Sequence, residues 1–114
     1  MDKMIVSRST FGEWMRECRE KVGWPLRKVA AQLDIDTSVI AKIEKGQRRA
    51  TRLQVEQLAI LFNEPLSDVL VLYLSEQVAY KLADESCSDE VLRAAEEKIK
   101  YLRAKNVKQG EIKF

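Results

Sequence analysis

Five basic side chains, Lys42, Lys45, Arg48, Arg49 and Arg52, fall within Thr37–Gln54, a stretch that holds one acid, Glu44. Grouped cations of this kind can neutralise a row of phosphates or another anionic surface. Charge alone does not decide the matter, because a solvated helix face has the same composition. The chain as a whole is nearly neutral, at +2. Residues 1–65 carry twelve Lys and Arg against nine Asp and Glu, and residues 66–114 carry eight against nine, so the positive excess is local. Other chemistries have less to work with. Histidine is absent, which removes the commonest general base and the commonest zinc ligand. Cys18 and Cys87 stand 69 residues apart without a CxxC and read as buried small hydrophobes, not as a redox pair or a metal site. Asp89-Glu90 and Glu96-Glu97 read as helix-terminus and surface charges. The expectation is therefore no enzyme, no cofactor and no metal.

The elements that must carry the basic cluster are helical almost throughout. Phe11, Trp14, Met15, Cys18 and Val22 make one apolar stripe, with Thr10 and Glu13 placed for a capping box and Gly23 for the stop. Pro25 suits the first turn of a second helix, whose stripe is Leu26, Val29, Ala30 and Leu33. Asp36 is placed to cap a short third helix held by Ile40 and Ile43 and ended by Gly46. Thr51 caps a fourth, with Leu53, Val55, Leu58, Ala59, Leu61 and Phe62 as its apolar residues. A long fifth helix follows Pro65, its stripe running through Leu66, Val69, Leu70, Tyr73, Leu74, Gln77, Val78, Lys81 and Leu82, widened by Leu72 and Ala79. Ser88 is placed to cap a sixth, with Val91, Leu92, Ala95, Ile99 and Leu102 on its apolar face. Acids open that helix and bases close it, as the macrodipole favours. Met4-Ile5-Val6 and Ile112-Lys113-Phe114 could be short strands or loose arms.

At 114 residues, 46% hydrophobic and 33% charged, the chain has the composition of a globular protein and the length for one core with an appendage. Its apolar runs are a handful of residues, against the roughly 20 that a spanning helix needs. The opening MDKMIVSRST lacks the apolar segment of a secretory signal, so the expected location is the cytoplasm, with no membrane partner.

The segment PLRKVAAQLDIDTSVIAKIEKG sets two short helices around a tight turn. From Phe11 to Leu66 the chain resembles the Cro-like (XRE) helix-turn-helix family of bacterial and phage DNA-binding proteins. The matching positions are Arg16 and Arg19, then Gly23-Trp24-Pro25, Val29-Ala30, Leu33-Asp34-Ile35-Asp36, and Ile40-Ala41-Lys42-Ile43-Glu44-Lys45-Gly46. Asp34 stands where the family's turn is often glycine, and Pro25-Leu26 replace its common Ser/Thr and Gln. The resemblance implies an all-α, five-helix, lambda-repressor-like domain, here with a long fifth helix and an additional C-terminal helix. The implied organisation is an arm over 1–9, the helix-turn-helix domain over 10–66, a helical extension for dimerisation over 67–104, and a tail over 105–114.

The implied partner is double-stranded DNA, bound by a homodimer on a pseudo-palindromic operator. On that reading Thr37, Ser38, Val39 and Lys42 meet the major groove, while Lys45, Arg48, Arg49, Arg52 and Arg27 complete the DNA-facing set, largely through phosphates. Arg19 pairs with Glu44 as scaffolding. Ala30 must be small where two helices cross, and Ile35 plugs the turn. Each of these side chains has a plainer reading as core or solvated charge. Trp14 and Trp24 read as core or turn residues, and Tyr73, Tyr80 and Tyr101 as packing or interface residues. A different class of function also fits: an antitoxin-like interaction module whose C-terminal helices clasp a protein. Small family members with a helical extension resemble restriction–modification control proteins, phage repressors or antitoxins, and the Ile-Lys-Tyr-Leu ending points to the first of these.

Overall fold

The computed structural model describes residues 9–109, with side chains as far as Lys105. Both chain ends that the sequence left as strands or arms lie outside that range. Six helices follow one another: α1 Phe11–Lys21, α2 Leu26–Leu33, α3 Thr37–Glu44, α4 Arg52–Leu61, α5 Leu66–Leu82 and α6 Ser88–Gln109. Among the described residues there is no strand, so the fold is all-α. The chain divides into two compact units between Ala79 and Tyr80, within α5. No described helix is long and apolar enough to cross a membrane.

In the first unit α1 starts with a complete capping box. The Thr10 hydroxyl accepts from the Glu13 N–H, and the Glu13 carboxylate accepts from the Thr10 N–H. Thr51 and Gln54 do the same for α4. Asp36 occupies the cap position of α3 but makes no side-chain bond there; only its carbonyl receives the first helical N–H groups. Pro25 is the residue before α2 and not part of its first turn.

Four helices end alike, with a left-handed residue after the last turn: Gly23, Asp34, Gly46 and Asn63. At each, two N–H groups turn back onto otherwise unpaired carbonyls. After α2, for example, Ile35 donates to Ala30 at 3.0 Å and Asp34 to Ala31 at 3.2 Å. Asp34 therefore adopts without glycine the conformation for which glycine is the usual choice.

These helices enclose one core. Phe11, Trp14 and Met15 of α1 meet Val29, Ala30 and Leu33 of α2, Ile40 and Ile43 of α3, Val55, Leu58 and Ala59 of α4, and Val69, Leu72 and Tyr73 of α5. An aromatic group binds α1 to its neighbours, with Phe11 edge-on to Tyr73 at 5.6 Å and Trp14 edge-on to Phe62 at 6.1 Å. Tyr73 also donates to the Ala50 carbonyl, and Glu76 accepts from the Phe11 N–H at 2.5 Å. A carboxylate at the N-terminus of α1 is placed where the helix dipole favours it.

Several sequence readings need correction. Val22 and Leu53 are exposed, because the turn has begun at Val22 and Leu53 lies about 200° round α4 from Val55. In α5 the buried positions are Val69, Leu72 and Tyr73, while Val71, Leu74 and Val78 form a second, exposed stripe; the single broad stripe read from the sequence straddled both. Cys87 is exposed rather than buried. Ser88 is the first residue of α6, and the Cys87 carbonyl, not the Ser88 hydroxyl, receives the N–H of Val91.

Candidate nucleic-acid interface

α3 is amphipathic over eight residues. Ile40 and Ile43 are buried, and Ala41 and Val39 are half-buried, Val39 against the core. Thr37, Ser38 and Lys42 are exposed on the outer side. Ala30 is buried on α2, and Ile35 packs on the core from the turn. The hydroxyls of Thr37 and Ser38 and the Lys42 ammonium thus project from a helix whose other side is fixed.

Two contacts from α1 hold the C-terminal end of α3. Arg19 grips Glu44 through two nitrogens, Nε to Oε2 at 2.6 Å and Nη2 to Oε1 at 3.2 Å, and its third nitrogen donates to the Trp24 carbonyl at 2.9 Å. The two side chains are only 15% and 8% exposed. A paired fork of this kind is among the stronger charge-assisted arrangements, and it fixes orientation as well as distance. The Glu44 hydrogen bond, more than any other influence, raises the Arg19 pKa further above its already high value. The second contact is Gly12. A Cβ there would lie 2.7 Å from the Ile43 carbonyl oxygen and nearer still to that of Glu44, so α1 and α3 touch backbone to backbone.

This pairing also shapes the surface potential. Glu44 is the one acid between Thr37 and Gln54, and it is covered by Arg19. What remains outward over that stretch is cationic: Lys42, Lys45, Arg48, Arg49 and Arg52, all exposed. Arg52 shares its charge with Glu56 across one helical turn at 3.5 Å, an exposed contact of small energetic weight. Arg27 is exposed on α2, and Lys28 beside it lies over the Trp24 ring at 4.4 Å.

Gly12 and Glu76 are the supporting residues that sequence reasoning missed. Glu76 carries no local signal, since its partner is 65 positions away. Gly12 does carry one: a glycine inside a helix costs about 1 kcal/mol against alanine, so its presence calls for a packing reason.

A short helix with its inner face locked and its outer face polar, preceded by a second short helix and a tight turn, is the geometry of a helix-turn-helix. The helix-turn-helix family model matches residues 15–69 of the chain. The match runs from α1 into α5 and leaves residues 70–114 outside it. No curated protein and no solved structure matched the chain.

Proposed function

We propose that the chain is a sequence-specific regulator of transcription, acting in the cytoplasm as a homodimer on a pseudo-palindromic duplex. The observation that carries this reading is the outer face of α3. Thr37, Ser38 and Lys42 stand clear on a helix that Gly12 and the Arg19–Glu44 pair hold in place. Lys42 can donate to guanine O6 or N7, and the Thr37 methyl can meet a thymine methyl. Lys45, Arg48, Arg49, Arg52 and Arg27 supply phosphate contacts that set affinity without reading sequence.

The dimer part of the proposal rests on apolar surface that a single chain leaves exposed. Val71, Leu74 and Val78 on α5, and Leu92, Ile99 and Leu102 on α6, all face solvent. A stable interface needs about 1,000 Å² or more in total. Truncation before Ser88 is expected to give monomer or insoluble protein; a well-behaved dimer would place the interface elsewhere. Restriction–modification genes are the regulated set that the sequence resemblance favours. Selection of a binding site from random duplexes tests the whole reading. An enriched site with two-fold related halves supports it, while failure to enrich any site hands the chain to the protein-interaction reading.

A further inference from the structure

We infer that α6 pairs with α6 of a second copy of this chain, and that the two helices run antiparallel. The inference rests on the dimer proposed above and adds its geometry. Ser88, Leu92, Ala95, Ile99 and Leu102 recur along α6 at alternating spacings of four and three. That 3.5-residue period is the seam of a two-helix coiled coil, narrower than the face a helix turns to a globular core. The large side chains of the seam are open, with Leu92 47%, Ile99 46% and Leu102 44% exposed.

Charge along the helix decides the direction. Residues 88–97 carry Asp89, Glu90, Glu96 and Glu97 against Arg93 alone, whereas residues 98–105 carry Lys98, Lys100, Arg103 and Lys105 and no acid. Side by side in parallel, two such helices set acid on acid and base on base. Reversed, each acidic half lies along the partner's basic half, and the helix dipoles also oppose favourably. The residues flanking the seam sharpen the choice. Asp89, Glu96 and Arg103 follow one edge, and Val91, Lys98 and Lys105 the other. A parallel pair brings Lys98 toward the partner's Arg103, a repulsion. An antiparallel pair centred near Glu97 brings Asp89 toward the partner's Arg103, an attraction made twice by symmetry; at the axis it also sets Glu96 near the partner's Glu96 and Lys98 near the partner's Lys98, one like-charge contact each, so the outer pairs carry the preference.

The two orientations respond to one substitution with opposite signs. Sedimentation equilibrium on the full chain would compare the parent with Arg103→Glu, Asp89→Lys and the double variant, with circular dichroism confirming that helix content is kept. Antiparallel pairing predicts that each single change weakens the dimer by roughly three- to tenfold, in line with exposed pairs counted twice, and that the double variant returns to within about twofold of the parent. Tighter dimerisation by Arg103→Glu means a parallel pair and overturns the inference. An unchanged dimer across all four proteins removes α6 from the interface while leaving the dimer intact. A parent that stays monomeric at about 100 μM removes the dimer reading as well. A second measurement uses the native exposed Cys87 as a spin-label site. Ten residues on each side of the centre at 1.5 Å per residue put the two labels about 30 Å apart in the antiparallel pair; a distance below about 20 Å contradicts it.

Discussion

Gly12 of α1 lies directly against the backbone of Glu44, the last residue of α3. No side chain intervenes, so the two helix backbones meet directly there. Gly12→Ala must push α3 away or open its last turn, because the atoms it meets are backbone carbonyls that cannot rotate aside. The expected cost is about 3 kcal/mol or more, at the upper end for overpacked sites, despite alanine's better helix propensity. Urea denaturation followed by circular dichroism measures it. A variant as stable as the parent would mean that α1 and α3 stand further apart.

The neighbouring contact fails differently. Glu44→Ala leaves Arg19 with the Trp24 carbonyl and no carboxylate, in a site where the guanidinium is mostly covered. Removing one partner of such a pair is expected to cost roughly 3 kcal/mol. Ala30→Leu, which forces three more carbons into the α2 crossing, is expected to cost about 1–3 kcal/mol. Urea midpoints matching the parent in both variants would show that the helix-turn-helix register is misplaced.

What was readable from sequence was local. Thr10 with Glu13, Thr51, Gly23 and Gly46 mark helix ends through contacts within a few residues, so their patterns survive in one dimension. The Arg19–Glu44 contact spans 25 residues and is reachable only through the resemblance. Glu76 beneath α1 has no pattern at all, because a carboxylate capping a distant helix looks like any surface acid. α5 misled for a different reason. Apolar residues surround it, and a stripe drawn by period alone settles between its buried and exposed faces, whereas contact with Phe11 and Ala50 selects Val69, Leu72 and Tyr73.

The turn between α2 and α3 offers a test of backbone conformation. Asp34 holds φ at 57°, in the left-handed region. Asp34→Gly is expected to stabilise by about 0.5 kcal/mol, the relief of that conformation outweighing glycine's greater freedom when unfolded. Asp34→Val should destabilise by about 1–2 kcal/mol, since a β-branched side chain fits that region poorly. Midpoints in the reverse order would contradict the assigned turn.

The two cysteines should separate by reactivity. Burial, and then the nearby Glu64 carboxylate, pushes the Cys18 thiol up to about 11. Its thiolate is therefore scarce at pH 8, while Cys87 is exposed. Iodoacetamide at pH 8 should add one group to the folded chain, at Cys87, and two to the chain in urea. Raising the pH through 9 to 11 should also erode stability, because the unfolded chain releases the Cys18 proton first and the folded state retains it. Cys18→Ala should lose that part of the pH dependence. Equal labelling of both cysteines in the folded protein would contradict the packing of Cys18.

The central claim is that α3 reads bases while the cations around it only attract the duplex. Fluorescence anisotropy on a selected operator and a scrambled duplex, at several salt concentrations, tests it most directly. Lys42→Ala should weaken operator binding by about 1–3 kcal/mol and change scrambled-duplex binding far less. Arg49→Ala and Arg52→Ala should weaken both duplexes alike and reduce the slope of log affinity against log salt by about one. An operator-to-scrambled ratio left unchanged by Lys42→Ala would contradict base reading through that residue, and a parent that binds neither duplex would contradict the regulator itself.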